Sequence, residues 1–411
     1  MAETLFFVII FLVVTGFIVD QLISWLNHRS RFSDIPQLLA GVYTPERYGH
    51  YLDFKSVSYR FGLLLSWLSF AATLFMLFAG FVMVDDFVSS VTDSPVLQAL
   101  LFFGTIGLVA DLLSTPFDVY DTFVIEQKFG FNKSTPAIYI GDKLKSWLLA
   151  AVIGGGLLSL IVWLYGQLGS SFWWLAWIAI TVFSLFFSLF YSNLIVPLFN
   201  KQTPLEPGEL RDKLNNLAER TGFSLTNIFV IDGSKRSTRA NAYFTGFGSR
   251  RRIVLYDTLI GKQSSDQITA ILAHEVGHYR KKHTIKTLIM SVIQSGIILY
   301  LFSVIVGNPV IYQAMGSNGQ GFHLGLIVFF ILYSPVSSVT SVLMNYISRR
   351  FEYQADRFAA ENADPESMIS ALKLITSDNL SDLTPHPWHV FLNYSHPPLK
   401  ERIENILNAR D

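Results

Sequence analysis

Long apolar runs separated by polar stretches of uneven length dominate this chain. Seven of them are long enough for a helix rising 1.5 Å per residue to cross a hydrocarbon layer of about 30 Å. They cover about 5–26, 61–84, 96–113, 146–166, 172–198, 285–306 and 322–346. Asp111 near the end of the third run weakens it. The first run has no basic residue before it and no small-residue cleavage site after it. It therefore reads as a retained membrane helix and not as a secretory leader. The segments 27–60, 114–145, 200–284 and everything after 348 carry the Lys and Arg residues that lie outside the runs. The N-terminal tail, 85–95, 167–171 and 307–321 carry none. Basic residues mark the inner side of a membrane, so this one-sided distribution predicts the N-terminus outside and the C-terminus inside.

The long inner segment 200–284 has a different rhythm. Leu210, Leu214 and Leu217 form one stripe of an amphipathic helix over 209–221. The run Ile228-Phe229-Val230-Ile231 predicts a strand within 224–232. Further strands are expected at 242–247 and 252–256, with Gly246, Gly248 and Ser249 supplying a hairpin turn. A helix follows, with Ser264 and Gln267 as a capping box and Ile268, Ile271, Leu272 and Val276 on its apolar face. Gly277 within it costs about 1 kcal/mol relative to Ala. It marks either close approach of another element or a tolerated defect. The same two readings, close approach or loosening, stand for Gly154-Gly155-Gly156 in the fourth run.

That helix holds His274-Glu275-Val276-Gly277-His278, the pattern H-E-x-x-H. Residues four apart share a helical face, with Cβ atoms about 6 Å apart. His274 and His278 can therefore share one tetrahedral zinc, with Glu275 beside its open position as general base. A catalytic zinc needs a third protein ligand. Glu352 is the candidate, because its helix continues from the seventh run and returns to the face where His274 begins. Asp356, one turn on, is placed to accept the other ring N–H of a zinc-bound histidine. The competing reading is a solvated acidic face among Arg349, Arg350 and Arg357. Peptidases of this type align substrate backbone on an edge strand, and Ile253 to Tyr256 is the edge expected here.

Composition narrows the choice. Charged residues make up 15% of the chain, against about a quarter in soluble proteins, so the chain reads as an integral membrane protein. A formal net charge of +0 gives no basic footprint for nucleic acid. There are 0 cysteines, so zinc must be held by histidine and carboxylate.

H-E-x-G-H, Arg349-Arg350-Phe351-Glu352-Tyr353-Gln354-Ala355-Asp356 and Ser395-His396-Pro397-Pro398-Leu399-x-Glu401-Arg402 together resemble the type I CAAX prenyl endopeptidases. So do Glu126-x-Lys128-x-Gly130-Phe131-Asn132-Lys133, Pro197-Leu198-Phe199-Asn200-Lys201 and Asn241-Ala242-Tyr243-Phe244-x-Gly246-Phe247. The resemblance implies a mainly α membrane protein of seven helices enclosing a chamber, with an inner-side α+β gluzincin-like protease domain. Asp111, Asp118 and Asn193 would suit such a chamber. It implies one Zn2+ per chain on His274, His278 and Glu352, with Glu275 and His396 catalytic and Asn241 beside His396 at the substrate carbonyl. Arg402 would either meet a substrate carboxylate or fold the domain. The implied activity is peptide-bond hydrolysis of a peptide or protein with a C-terminal prenyl group.

The division expected is 1–198 for helices one to five, 199–284 for the first part of the protease domain, 285–346 for helices six and seven, and 347–411 for the second part. The short 307–321 loop and the C-terminal Asn408-Ala409-Arg410-Asp411, without a dilysine signal, suggest a compact bacterial inner-membrane member. The endoplasmic reticulum is the expectation for a eukaryote. Quality control of membrane proteins is then an alternative task. Rival functions are a seven-helix receptor, a zinc transporter and a non-cutting chaperone. His283, five residues past His278, reads as interfacial, and His386 and His389 are denied a shared helix by Pro385 and Pro387. The sequence carries no sign of oligomeric state.

Overall fold

The apolar runs build helices that are longer than the runs themselves. The computed structural model describes residues 1–32, 34–223, 227–245, 252–317 and 321–409. The apolar helices are α1 (Ala2–Ser30), α2 (Pro45–Val91), α3 (Pro95–Glu126), α4 (136–168) and α5 (Trp173–Leu194). By length and composition, 6 helical stretches among the described residues can cross a membrane. The fourth and fifth predicted runs both fall in one of these, Pro136–Phe199. Gly169, with φ +55°, and the 3₁₀ turn Gly169–Phe172 break that stretch into α4 and α5. Between 6% and 17% of the apolar windows is buried inside the protein. Protein packing therefore cannot account for these runs, whereas a lipid environment does.

The shorter, more polar helices are α6 (Glu209–Arg220), α7 (Ser265–Arg280), α11 (Pro365–Asp378), α12 (Pro387–Asn393) and α13 (Leu399–Leu407). Between them run α8 (His283–Ile305), α9 (Pro309–Ala314) and α10 (Phe322–Asn362). A small sheet joins β1 (Gln202–Pro204), β2 (Asn227–Ile231), β3 (Ala242–Thr245) and β4 (Arg252–Tyr256) in the order β1-β2-β4-β3. β2 and β4 are parallel, and β3 pairs antiparallel with β4, with Ala242 opposite Leu255. The expected turn at Gly246, Gly248 and Ser249, the strand end at Phe247 and the strand start at 224–226 lie outside the described residues.

One expectation is corrected. Ile253 to Tyr256 is not an edge, because β4 is hydrogen-bonded on both sides, by β2 and by β3. Ile253, Val254 and Leu255 are all buried. An unbroken apolar run of this kind belongs to a strand covered on both faces. The edges are β1 and β3.

One core unites these helices with the sheet. Leu214 and Leu217 of α6, Leu255 of β4, Leu272 and Val276 of α7, Leu372 of α11 and Ile403 of α13 pack together. The N-terminal residues Leu39 and Tyr51 join the same core. Phe172, Phe302, Phe322 and Phe329 form a separate apolar cluster between α8, α10 and the turn after α4.

Candidate metal centre and active site

Two helices position the centre. The Ser264 hydroxyl accepts from Gln267 N while the Gln267 side chain accepts from Ser264 N, so the capping box at the start of α7 is complete. α10 runs unbroken for 41 residues, through Pro335, and delivers Glu352 beside α7. The two helices meet at Gly277. A Cβ there would lie 3.0 Å from Ala355 Cα and 3.0 Å from Phe358 Cβ. Of the two readings of Gly277, close approach is the one observed.

The crossing brings three donor atoms together. His274 Nε2 and His278 Nε2 are 3.1 Å apart. Glu352 Oε2 is 3.4 Å from His274 Nε2, and Glu352 Oε1 is 3.2 Å from His278 Nε2. A tetrahedral zinc with bonds of about 2.0–2.1 Å has ligand atoms about 3.3–3.4 Å apart, close to each of these separations, and one ligand atom from each of the three residues lies within 4.8 Å of the other two. Glu352 Oε2 is buried and accepts no hydrogen bond. Such an oxygen is costly unless something pairs with it, and a cation held by these three residues would do so. The residues present fit a metal ion.

Asp356 is fully buried. Its Oδ1 lies 2.8 Å from His274 Nδ1, which places the ring proton there and leaves the lone pair on Nε2. Burial pushes the His274 pKa down, but the neighbouring carboxylates of Asp356 and Glu352 outweigh it and lift the value to about 9. Arg402 donates twice to Asp356, at 2.9 and 2.6 Å, and its guanidinium is also 3.7 Å from Glu352 Oε2. That bidentate pair occupies the guanidinium.

Glu275 and His278 line an open cavity of about 450 Å3, together with Ser188, Thr287 and Phe351. His396 is 65% exposed, with Nε2 3.4 Å from Glu352 Oε1, so it stands at the rim of the centre with a free face. Its segment is anchored by Arg349, which donates to the carbonyls of Val390 and Tyr394. Asn241 is exposed at the start of edge strand β3 and lines a neighbouring cavity of about 850 Å3 with Tyr243 and Tyr256. Ser188 lines both cavities. His283, read from sequence as interfacial, is instead buried with Nδ1 3.0 Å from His278 Nδ1. His386 caps α12, accepting from Trp388 N, away from the centre.

Comparison with known proteins shows the family. Residues 25–201 match a family profile described as CAAX prenyl protease N-terminal, five membrane helices, and residues 204–410 match Peptidase family M48. The chain belongs to peptidase family M48. CAAX prenyl protease 1 of Saccharomyces cerevisiae is 38% identical over 326 residues, covering 75% of this chain and 72% of that protein. The CAAX prenyl protease 1 homolog of Homo sapiens is 33% identical over 357 residues, covering 76% and 74%. The crystal structure of S. mikatae Ste24p superposes with a TM-score of 0.92 at 31% identity, covering 98% of this chain and 99% of that one. The M48 chain described here is thus a membrane metalloendopeptidase. Nothing in these comparisons supports the receptor, transporter or chaperone readings.

Proposed function

We propose that this M48 protein is a zinc endopeptidase whose centre is His274, His278 and Glu352 with Glu275 as general base. The reading is carried by the His274, His278 and Glu352 cluster, whose ligand atoms lie within 4.8 Å of one another, with Glu275 lining the cavity beside His278. Zinc held there supplies Lewis-acid polarisation of the scissile carbonyl and an acidified water. Glu275 takes the proton of the attacking water and passes it to the leaving amine. His396 and Asn241 donate to the oxygen on which negative charge develops. Asp356 holds the His274 ring, and Arg402 neutralises Asp356. The edge of β3, which follows Asn241, offers unpaired backbone groups to an extended substrate.

We further propose seven crossings, with α4 and α5 as separate spans. A 64-residue stretch is about 96 Å long as one helix, three times the hydrocarbon thickness. The protease side faces inward by the distribution of basic residues. A water-filled space between the helices is supported by Asp111, Ser114 and Asp118, which retain exposure within α3. Lys143 of α4 pairs with Asp111 at 2.9 Å. The relatives' names point to prenylated C-terminal peptides as substrates, with membrane-protein quality control as the alternative.

Glu275→Gln in the full-length protein tests the mechanism. Zinc content should stay near that of the parent while peptide cleavage disappears. Cleavage at the parent's rate would refute the assignment. A farnesylated C-terminal peptide run beside its unprenylated counterpart decides between the two substrate classes.

A further inference from the structure

Asp356 fixes one metal-binding imidazole, and a second set of groups, reaching the centre from α8 and α10, contacts the other. Lys282 adopts the left-handed conformation (φ 58°) between α7 and α8, and the turn it makes brings His283 back over the end of α7. The His283 ring stacks on Phe351 with centroids 4.1 Å apart and planes 10° apart. Its Nε2 is 3.0 Å from Gln354 Oε1, and its Nδ1 is 3.0 Å from His278 Nδ1.

The proton positions follow from what each group can do. A neutral imidazole has one donor and one acceptor nitrogen, and an amide oxygen only accepts. Gln354 Oε1 therefore takes the Nε2–H of His283. His283 Nδ1 is left as an acceptor and takes the Nδ1–H of His278. His278 then keeps its lone pair on Nε2, the atom that faces Glu352 and His274. We propose that Gln354 and His283 are positioning residues which lock His278 in its metal-binding tautomer. The inference rests on the metal centre proposed above and deepens it. The two imidazoles would be held by unlike means: His274 by a buried carboxylate, His278 by an uncharged relay. A single turn of α10 supplies the stacking ring, the third ligand and the terminal acceptor as Phe351, Glu352 and Gln354. Formation of the centre is thereby coupled to the joint between α8 and α10.

The test is zinc affinity of the full-length protein, measured by chelator competition, in the parent and four variants. His283→Phe keeps a ring against Phe351 but removes both relay contacts. It should weaken zinc on the order of 10- to 100-fold, the usual cost of losing such a partner. Gln354 is exposed, so its substitution does not burden folding. Gln354→Leu should weaken zinc in the same direction, and Gln354→Glu, which keeps an acceptor oxygen, should stay within about threefold of the parent. Unchanged affinity in His283→Phe and Gln354→Leu would overturn the relay, as would equal losses in both Gln354 variants. His274→Ala serves as the reference. Zinc binding that survives in His274→Ala, or is absent from the parent, would overturn the metal centre itself along with the relay.

Discussion

The His396 ring stands 3.4 Å from Glu352 and is largely free to solvent. On the function proposed, a residue so placed acts on substrate and not on the fold. His396→Ala should lower kcat about 10²- to 10³-fold, the usual loss for an oxyanion donor, with zinc content and Tm close to the parent's. Arg402 is its opposite. Removing it takes away the buried Asp356 carboxylate's only Arg partner and leaves it the His274 N–H alone, a change that costs about 3–5 kcal/mol. Arg402→Met should therefore lower Tm steeply, whatever it does to activity. The lifted pKa of His274, about 9, also sets a pH dependence. Without metal the protonated ring is favoured below that value, and metal must displace the proton. Apparent zinc affinity should rise between pH 7 and 9, and titrations at several pH values would detect it. Spacing pointed to His274 and His278, and the continuation of the seventh run with a four-residue interval pointed to Glu352 and Asp356, because all lie within regular helices. His283 was not legible. Its phase was extrapolated through a helix that ends at Arg280, and Lys282 turns the chain before His283 begins α8.

Among the elements, the crossing of α7 and α10 decides whether the ligands meet. Gly277→Ala gains about 1 kcal/mol of helix propensity, but its Cβ would stand 3.0 Å from Ala355 Cα, which belongs to rigid backbone. Overpacking of that kind costs about 1–3 kcal/mol. Gly277→Val should then lower both Tm and zinc affinity, since parting the helices carries Glu352 from the histidines. Loss of the capping box in Ser264→Ala should cost about 1 kcal/mol with little change in zinc affinity. Urea unfolding and chelator competition separate the two effects. The capping box could be read from two residues of sequence. The sheet order could not, because β2 pairs directly in parallel with β4 and β3, which lies between them in sequence, goes to the edge. The buried run Ile253-Val254-Leu255 did carry the signal of a central strand, which the expectation of a substrate-aligning edge passed over.

For the whole molecule, the N-terminal and C-terminal parts are tied at Asp382. It accepts from Tyr51 Oη at 2.8 Å and Asn27 Nδ2 at 3.3 Å, and Lys55 Nζ is 3.6 Å away. Burial pushes its carboxyl pKa up, but Lys55 and Tyr51 outweigh that and hold it below the usual range. A depressed carboxyl pKa stabilises the fold above the unfolded-state value, and this contribution is lost as pH falls through the folded value. Asp382→Asn should therefore flatten the acid limb of a stability profile. Membrane character was plain from the apolar runs, whereas helix lengths were not. α2 and α10 extend well past their hydrophobic portions, because the core around α6, α7 and the sheet gives their polar ends something to pack against.

The central claim is that two histidines from α7 and a glutamate from α10 jointly hold one metal ion. Its most direct measurement is zinc per chain, by elemental analysis of the purified parent and of Glu352→Ala. The account predicts about one zinc in the parent and little in the variant. A parent without zinc, or a Glu352→Ala protein that keeps it, would contradict the account.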